Sequence, residues 1–226
     1  MMSRIYLQAN NPDQWAQFLA DPIKHWRKGY SARTLAYSWQ EAAGFPVEVQ
    51  ATLATAEAFT DIEMLLGIPE HQVPLPGGSR PSQNDLWLLA RCSSGLVSIA
   101  VEGKVGEPFG PTVAEWQAEG SKGKDKRLSF LCNLLGLNQP VPGEIRYQLL
   151  HRTASALIEA QRFGAPHAVM LVHSFSQTCE WFEDYAAFAK LLGVQAEVNR
   201  IVSVGERGGT ELHLGWVCGD ARYLEK

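Results

Sequence analysis

A single α/β or α+β domain built on a mixed central sheet is the fold class this chain predicts, and the period of its apolar residues leads there. They recur at about 3.6-residue spacing through the first 60 positions, and at spacing 2 beyond position 85. Helical and strand-like runs then alternate to the end, which favours a mixed sheet flanked by helices. With 226 residues, 46% hydrophobic and 19% charged, the chain is long enough to bury one generous core and too apolar for disorder. No linker divides it, so residues 1–226 read as one domain, with 1–60 a helical N-terminal part and 61–226 the core.

In the helical part, Trp15, Phe18 and Leu19, then Leu35, Trp39 and Ala43, then Val47, Leu53 and Ala54 fall at steps near 3, 4 and 7. Asn11-Pro12-Asp13 suits a helix start, and Gly44-Phe45-Pro46 separates the second helix from the third. Trp26, Tyr30, Tyr37 and Trp39 are expected in the core of this cap rather than as a base-stacking platform. Residues 69–84 hold four prolines and Gly77-Gly78, and read as a loop with at most one short strand. Two apolar runs follow, 86–91 and 96–105, separated by Cys92-Ser93-Ser94-Gly95, a hairpin signature. Helices are then expected over 113–119 and 125–137, around an SKGKDK loop, and over 144–162. A short strand at 168–172, a helix at 180–192 and a C-terminal hairpin of 199–205 and 210–217, turning at Glu206–Gly209, complete the reading.

A net charge of −4 does not announce a nucleic-acid binder, so partners must be judged locally. Residues 121–165 carry seven basic side chains (Lys122, Lys124, Lys126, Arg127, Arg146, Arg152, Arg162) against three acidic ones, a positive segment in an acidic protein. No run approaches the roughly 18–20 apolar residues of a membrane span, and the first fifteen residues lack a leader pattern. A cytoplasmic protein without a membrane partner is expected. Cys92, Cys132, Cys179 and Cys218 lie far apart with no Cys-x-x-Cys pair, which argues against a zinc ribbon or dithiol motif and for reduced, buried thiols.

The chemistry-bearing residues come from the first hairpin. If its turn centres on Ser93-Ser94, Asp85 faces Glu102, and if on Ser94-Gly95, Asp85 faces Lys104; either way Glu102 and Lys104 share a strand face by alternation. Two opposed carboxylates are tolerated best with a cation between them. Mg²⁺ (or Mn²⁺) on Asp85, Glu102 and the Gly103 carbonyl, completed by water, would serve, and such an ion activates water and neutralises phosphoryl charge. Lys104 stands where it could orient the attacking water. In the helix beyond, Gln148, Arg152, Ser155 and Glu159 form one polar stripe opposite Leu150, Ala154 and Leu157. His173, at a strand end, reads as a structural histidine, and Glu107 as a turn residue near the cleft.

Asp85 followed by Glu102-Gly103-Lys104 at the end of an apolar strand resembles the PD-(D/E)xK nuclease superfamily, with Asn84-Asp85 in place of Pro-Asp. The resemblance implies a restriction-endonuclease-like αβββαβ core carrying an N-terminal helical cap and a C-terminal β-hairpin. It further implies metal-dependent cleavage of DNA or RNA, with Asp85 and Glu102 as ligands, Lys104 as the catalytic lysine, and Gln148 and Arg152 holding water, carboxylate or phosphate. Arg80 and Gln83, just before Asp85, become candidates for contacting the scissile strand. The extra carboxylate that such enzymes draw from an N-terminal helix would be Glu41 or Glu63. Nucleic acid is the expected partner, with a homodimer open. A catalytically inactive binding module and a small-molecule phosphoesterase are the alternatives.

Overall fold

A computed structural model of the protein describes residues 11–226, so the leader expectation for the first fifteen residues falls mostly outside it. Six strands form one mixed sheet: β1 (Glu63–Val73), β2 (Ser82–Cys92), β3 (Gly95–Lys104), β4 (His167–Ser174), β5 (Arg200–Arg207) and β6 (Thr210–Cys218). Their order is β1-β2-β3-β4-β6-β5. β1, β2 and β3 are an antiparallel meander, β3, β4 and β6 run parallel, and β5 closes the far edge antiparallel to β6. The α/β class, the mixed sheet, the helical N-terminal part and the C-terminal hairpin all appear as expected.

Two layers of helix cover the sheet, because its inner strands are apolar on both faces. On one face α2 (Ser31–Ala42) and α3 (Val47–Leu53) bring Leu35, Trp39, Val49 and Leu53 onto Leu86, Leu88, Ile99, Val101, Val169 and Leu171. On the other, α4 (Val113–Gln117), α5 (Lys122–Leu135), α6 (Tyr147–Phe163) and α7 (Phe182–Leu191) pack on Ala100, Ala168, Met170, Val172, Leu214 and Trp216. A short α1 (Pro22–His25) precedes α2. Asn11 caps the first helical turn by accepting from Gln14 N, and Ala43, with φ 51, ends α2 before Pro46 opens α3. Of the four cap aromatics, Trp39 is wholly buried, Trp26 and Tyr37 are partly buried, and Tyr30 is exposed, contrary to expectation.

Two expected loops are regular structure. Half of residues 69–84 are strand: β1 runs to Val73, β2 starts at Ser82, and the loop is confined to 74–81. Pro69 fits because β1 is the sheet edge, where a missing amide costs no ladder bond. SKGKDK begins α5 rather than preceding it, with Ser121 capping Lys124 N. That helix holds the 74–81 loop against itself. A Cβ on Gly77, whose φ is +82, would lie 2.1 Å from the Gly123 carbonyl oxygen, so only glycine permits the contact. Arg127 then donates to the carbonyls of Pro76 (2.9 Å) and Gly78 (3.1 Å), which fixes the entry to β2.

Candidate active site

The hairpin adopts the expected register: Leu86 pairs with Val101, Arg91 with Leu96 and Cys92 with Gly95, leaving Ser93-Ser94 as the turn. Continued one residue, this register sets Asp85 against Glu102. On the other side of β2, Pro69 pairs with Leu86 and His71 with Asn84, which sets Glu70 against Asp85. Three carboxylates thus stand in a row across β1, β2 and β3. Glu70 is the member of this row that sequence reasoning did not single out, because its flanking prolines read as loop. Neither candidate named for the extra carboxylate is at the site: Glu41 pairs with Lys226 (3.4 Å), and Glu63 pairs with Arg91 (2.9 Å) at the opposite end of β1.

Glu102 is the hub. Its Oε1 accepts from Lys104 Nζ (2.5 Å) and Gln148 Nε2 (2.7 Å), and its Oε2 accepts from Arg152 Nε (2.5 Å). Gln148 and Arg152 lie one turn apart on α6, so the predicted polar stripe faces the carboxylates rather than solvent. Arg152 is buried, also donates to Ser82 Oγ (3.2 Å), and lies 4.0 Å from Asp85. It serves as the internal counter-ion of Glu102, one of the roles expected for it. Ser155 and Glu159 continue the stripe, both buried, with Glu159 3.4 Å from His71 and 3.1 Å from Arg162.

Asp85 is held differently. Its Oδ2 accepts the Gly103 amide at 2.8 Å, and a Cβ at position 103 would lie 3.4 Å from that oxygen and 3.3 Å from a Leu35 methyl, a close fit. The Asp85 side chain remains 22% exposed. Burial, then the neighbouring Glu102, raises its pKa to about 7, and burial, then Asp85, raises Glu70 to about 8. Burial would raise Glu102 too, but Lys104 and Arg152 outweigh it and hold the carboxyl near 2. Of the other two sequence candidates, Gln83 donates to Glu70 (2.6 Å) and so orients the third acid. Arg80 is exposed in the loop before β2.

A cavity of about 460 Å³ is lined by Glu70, Asp85, Glu102, Lys104, Glu107 and Gln148, together with Lys24, His25 and Tyr30 of the helical cap. A smaller one of about 270 Å³ adjoins it, sharing Gln148 and Gly110 and touching Gln83, His151 and Arg152; Arg80 lines neither. Two oxygens on residues of the larger cavity, Gln148 Oε1 and Glu107 Oε1, are buried without a hydrogen-bond partner among the described residues. Because Gln148 Nε2 is engaged by Glu102, its carbonyl oxygen is the end left over.

Among the described residues no three His, Cys, Asp or Glu side chains converge as a ready-made metal cage. A hard dication that keeps several waters needs fewer: Asp85, Glu102, the Gly103 carbonyl and Gln148 Oε1 are all oxygen donors of the right kind. The basic segment contributes less than its charge suggests. Arg127, Arg146, Arg152 and Arg162 have internal partners, with Arg146 on Asp184 (2.7 Å), while Lys122 and Lys126 are exposed. His173 is structural as expected, accepting from Trp39 Nε1 (3.1 Å) and lying 3.3 Å from Glu48.

No helix among the described residues is long and apolar enough to cross a membrane. Residues 8–221 match the family model of a domain of unknown function, DUF6946, and the chain belongs to that family. No curated protein and no solved structure matches it.

Proposed function

We propose that this member of the DUF6946 family is a divalent-metal-dependent nuclease that hydrolyses phosphodiester bonds of DNA or RNA at Asp85, Glu102 and Lys104. The observation that carries the reading is the convergence of those three side chains, with Glu70 and Gln148, on one cavity at the end of β2 and β3. The element order supports it as well: a helix, the β1–β3 meander, then α6 and a parallel β4 is compatible with a restriction-endonuclease-like core to which α4 and α5 are added.

Charge supports the metal. Three carboxylates stand in a row against two cations, Lys104 and Arg152, and burial with their mutual repulsion raises the pKa of Asp85 and Glu70. A dication between them would offset that repulsion and would attract the negative charge of a phosphodiester. Mg²⁺ or Mn²⁺ held there by Asp85 and Glu102, with the Gly103 carbonyl and Gln148 as further donors, would supply Lewis acidity and lower the pKa of bound water. The chain's own residues do the rest. Lys104 offers its ammonium to the developing negative charge, Arg152 keeps Glu102 ionised and aimed, and Gln83 orients Glu70 beside Asp85.

A second reading shares these residues. The helical cap adds Lys24, His25 and Tyr30 to the cavity lining, and walls on that side favour a small phosphate diester or a strand end over continuous duplex. Both are tested in one assay: labelled single-stranded and duplex DNA and RNA, and bis(p-nitrophenyl) phosphate, each with Mg²⁺, Mn²⁺ or chelator. The nuclease reading expects metal-dependent cleavage of a polynucleotide that Asp85→Asn lowers by about 10²–10³-fold. Turnover of the small diester alone selects the phosphoesterase. Inertness toward all of them, in a folded protein with metal, overturns both.

A further inference from the structure

Away from the carboxylates, two thiols that the proposed hydrolysis does not use lie side by side. Cys179 is in the loop between β4 and α7, Cys218 is the last residue of β6, and their Sγ atoms are 3.7 Å apart. β4 and β6 run parallel with Ser174 opposite Cys218, so the chain leaving β4 passes over the end of β6 and brings the two together. The expectation of four buried thiols holds only for Cys132. Cys179 and Cys218 are half-buried and open to small reagents, as is Cys92, which sits in the β2–β3 hairpin with Ser94 Oγ at 3.1 Å.

Both backbones are pinned. Cys179 holds a left-handed conformation (φ 53), uncommon for a residue with a Cβ, and its amide donates to the Ser176 carbonyl at 3.3 Å. Glu180 N donates to Ser176 Oγ at 3.1 Å. On the other side, Cys218 N donates to Asn199 Oδ1 at 2.7 Å, and Gly219 N to the Ser174 carbonyl at 2.7 Å. Two short side chains are thus held in contact by segments with little freedom, and roughly 1.7 Å of sulfur movement closes the gap to a bonded pair.

We propose that Cys179 and Cys218 are a reversible disulfide site, closed by a peroxide or by a glutathione-type disulfide. With hydrogen peroxide, one thiolate attacks a peroxide oxygen and the O–O bond breaks, giving a sulfenic acid and, after proton uptake, water. The second thiolate attacks that sulfur and the hydroxyl leaves as a second water, so one peroxide is reduced while two thiols give up two electrons to one S–S bond. The bond staples the β4–α7 loop to the end of β6. That loop supports the wall of the carboxylate cavity, because Trp181 Nε1 donates to the Gly106 carbonyl (3.0 Å) and Phe175 N to the Lys104 carbonyl (2.7 Å).

The test uses the full chain, reduced, freed of reductant, exposed to hydrogen peroxide or oxidised glutathione, alkylated, and digested without reduction. The expected result is two protected thiols out of four, one peptide pair joined through Cys179 and Cys218, and reversal by dithiothreitol. Thermal melting should rise by about 5 °C or more, since the bond closes a long loop. Cys179→Ser and Cys218→Ser should each abolish both the link and the rise. Four alkylatable thiols after oxidant, oxidation ending at a sulfinic acid, or links through Cys92 or Cys132 would overturn the proposal. None of these readouts depends on hydrolysis, so this proposal and the nuclease reading fail separately.

Discussion

The central strands carry a polar cluster at each end, and the two accommodate burial in opposite ways. At the end where β3 finishes, Glu102 keeps its charge by taking Lys104, Arg152 and Gln148 as partners, and two further carboxylates stand beside it. At the end where β4 begins, His167 shares hydrogen bonds with Ser94 Oγ (2.8 Å) and His213 (3.3 Å), and the edge of the Phe59 ring packs on both imidazoles. Burial lowers the pKa of both histidines, and in His213, with His167 beside it, to about 4, so this end discharges itself. A protein that needed only to satisfy buried polar groups could have treated both ends alike. Among the described residues, a row of carboxylates, unpartnered oxygens and an adjoining cavity come together at the first, and that directs a functional reading to it.

The sharpest way to break the contrast is by activity. Lys104→Met or Asp85→Asn should lower metal-dependent cleavage by about 10²–10³-fold, in line with removal of one preorganised charge, while Ser94→Ala should leave the rate unchanged. Equal losses at both ends, read in initial-rate assays, would erase the distinction. Next in size is stability. Arg152→Met strips Glu102 of its buried guanidinium and should cost about 3–5 kcal/mol, a melting temperature lower by roughly 10 °C. A melt within about 2 °C of wild type would show that Glu102 does not rely on Arg152.

The two ends also differ in pH response. Asp85 and Glu70 bind protons more tightly folded than unfolded, so their contribution is complete below about pH 4 and is lost as pH rises through 7 to 8. His213 binds its proton less tightly folded, so its contribution is complete above pH 6.5 and is lost as pH falls toward 4. Denaturant melts from pH 4 to 9 should therefore show an alkaline limb that Glu70→Gln with Asp85→Asn flattens, and an acid limb that His213→Phe flattens. Mn²⁺ should stabilise the protein more at pH 8 than at pH 5, because it competes with those protons. The smallest effect expected is at the hairpin turn, where Ser94→Ala, losing exposed contacts to His167 and Cys92, should cost no more than about 1 kcal/mol in the same melts.

How much of this could be read in advance depended on whether a feature was local. The hairpin was legible to within one residue of register, because a turn on Ser93-Ser94 or on Ser94-Gly95 brings Asp85 close to Glu102 and Lys104, and pairing across the strands selects the former. The stripe on α6 was legible as a stripe, but not its burial, since nothing in the residues 144–162 says that β3 lies against that face. Glu70 was hidden by Pro69 and Pro74, which signal a loop unless the strand is known to be a sheet edge. Charge counting over residues 121–165 could not tell which cations are engaged internally, and Arg127 and Arg152 are. The contact between Cys179 and Cys218 depends on β4 and β6 being neighbours, a long-range fact that no spacing of cysteines reveals.

The central claim concerns a cation at the acidic end of the sheet, and it is tested most directly by anomalous scattering from crystals of the wild-type protein soaked in Mn²⁺. A peak in the carboxylate cavity coordinated by Asp85 and Glu102, with Lys104 released toward its water shell and the peak lost in Asp85→Asn, is the predicted result. A cavity without a peak at saturating Mn²⁺, with Glu102 still closed on Lys104 and Arg152, would contradict it.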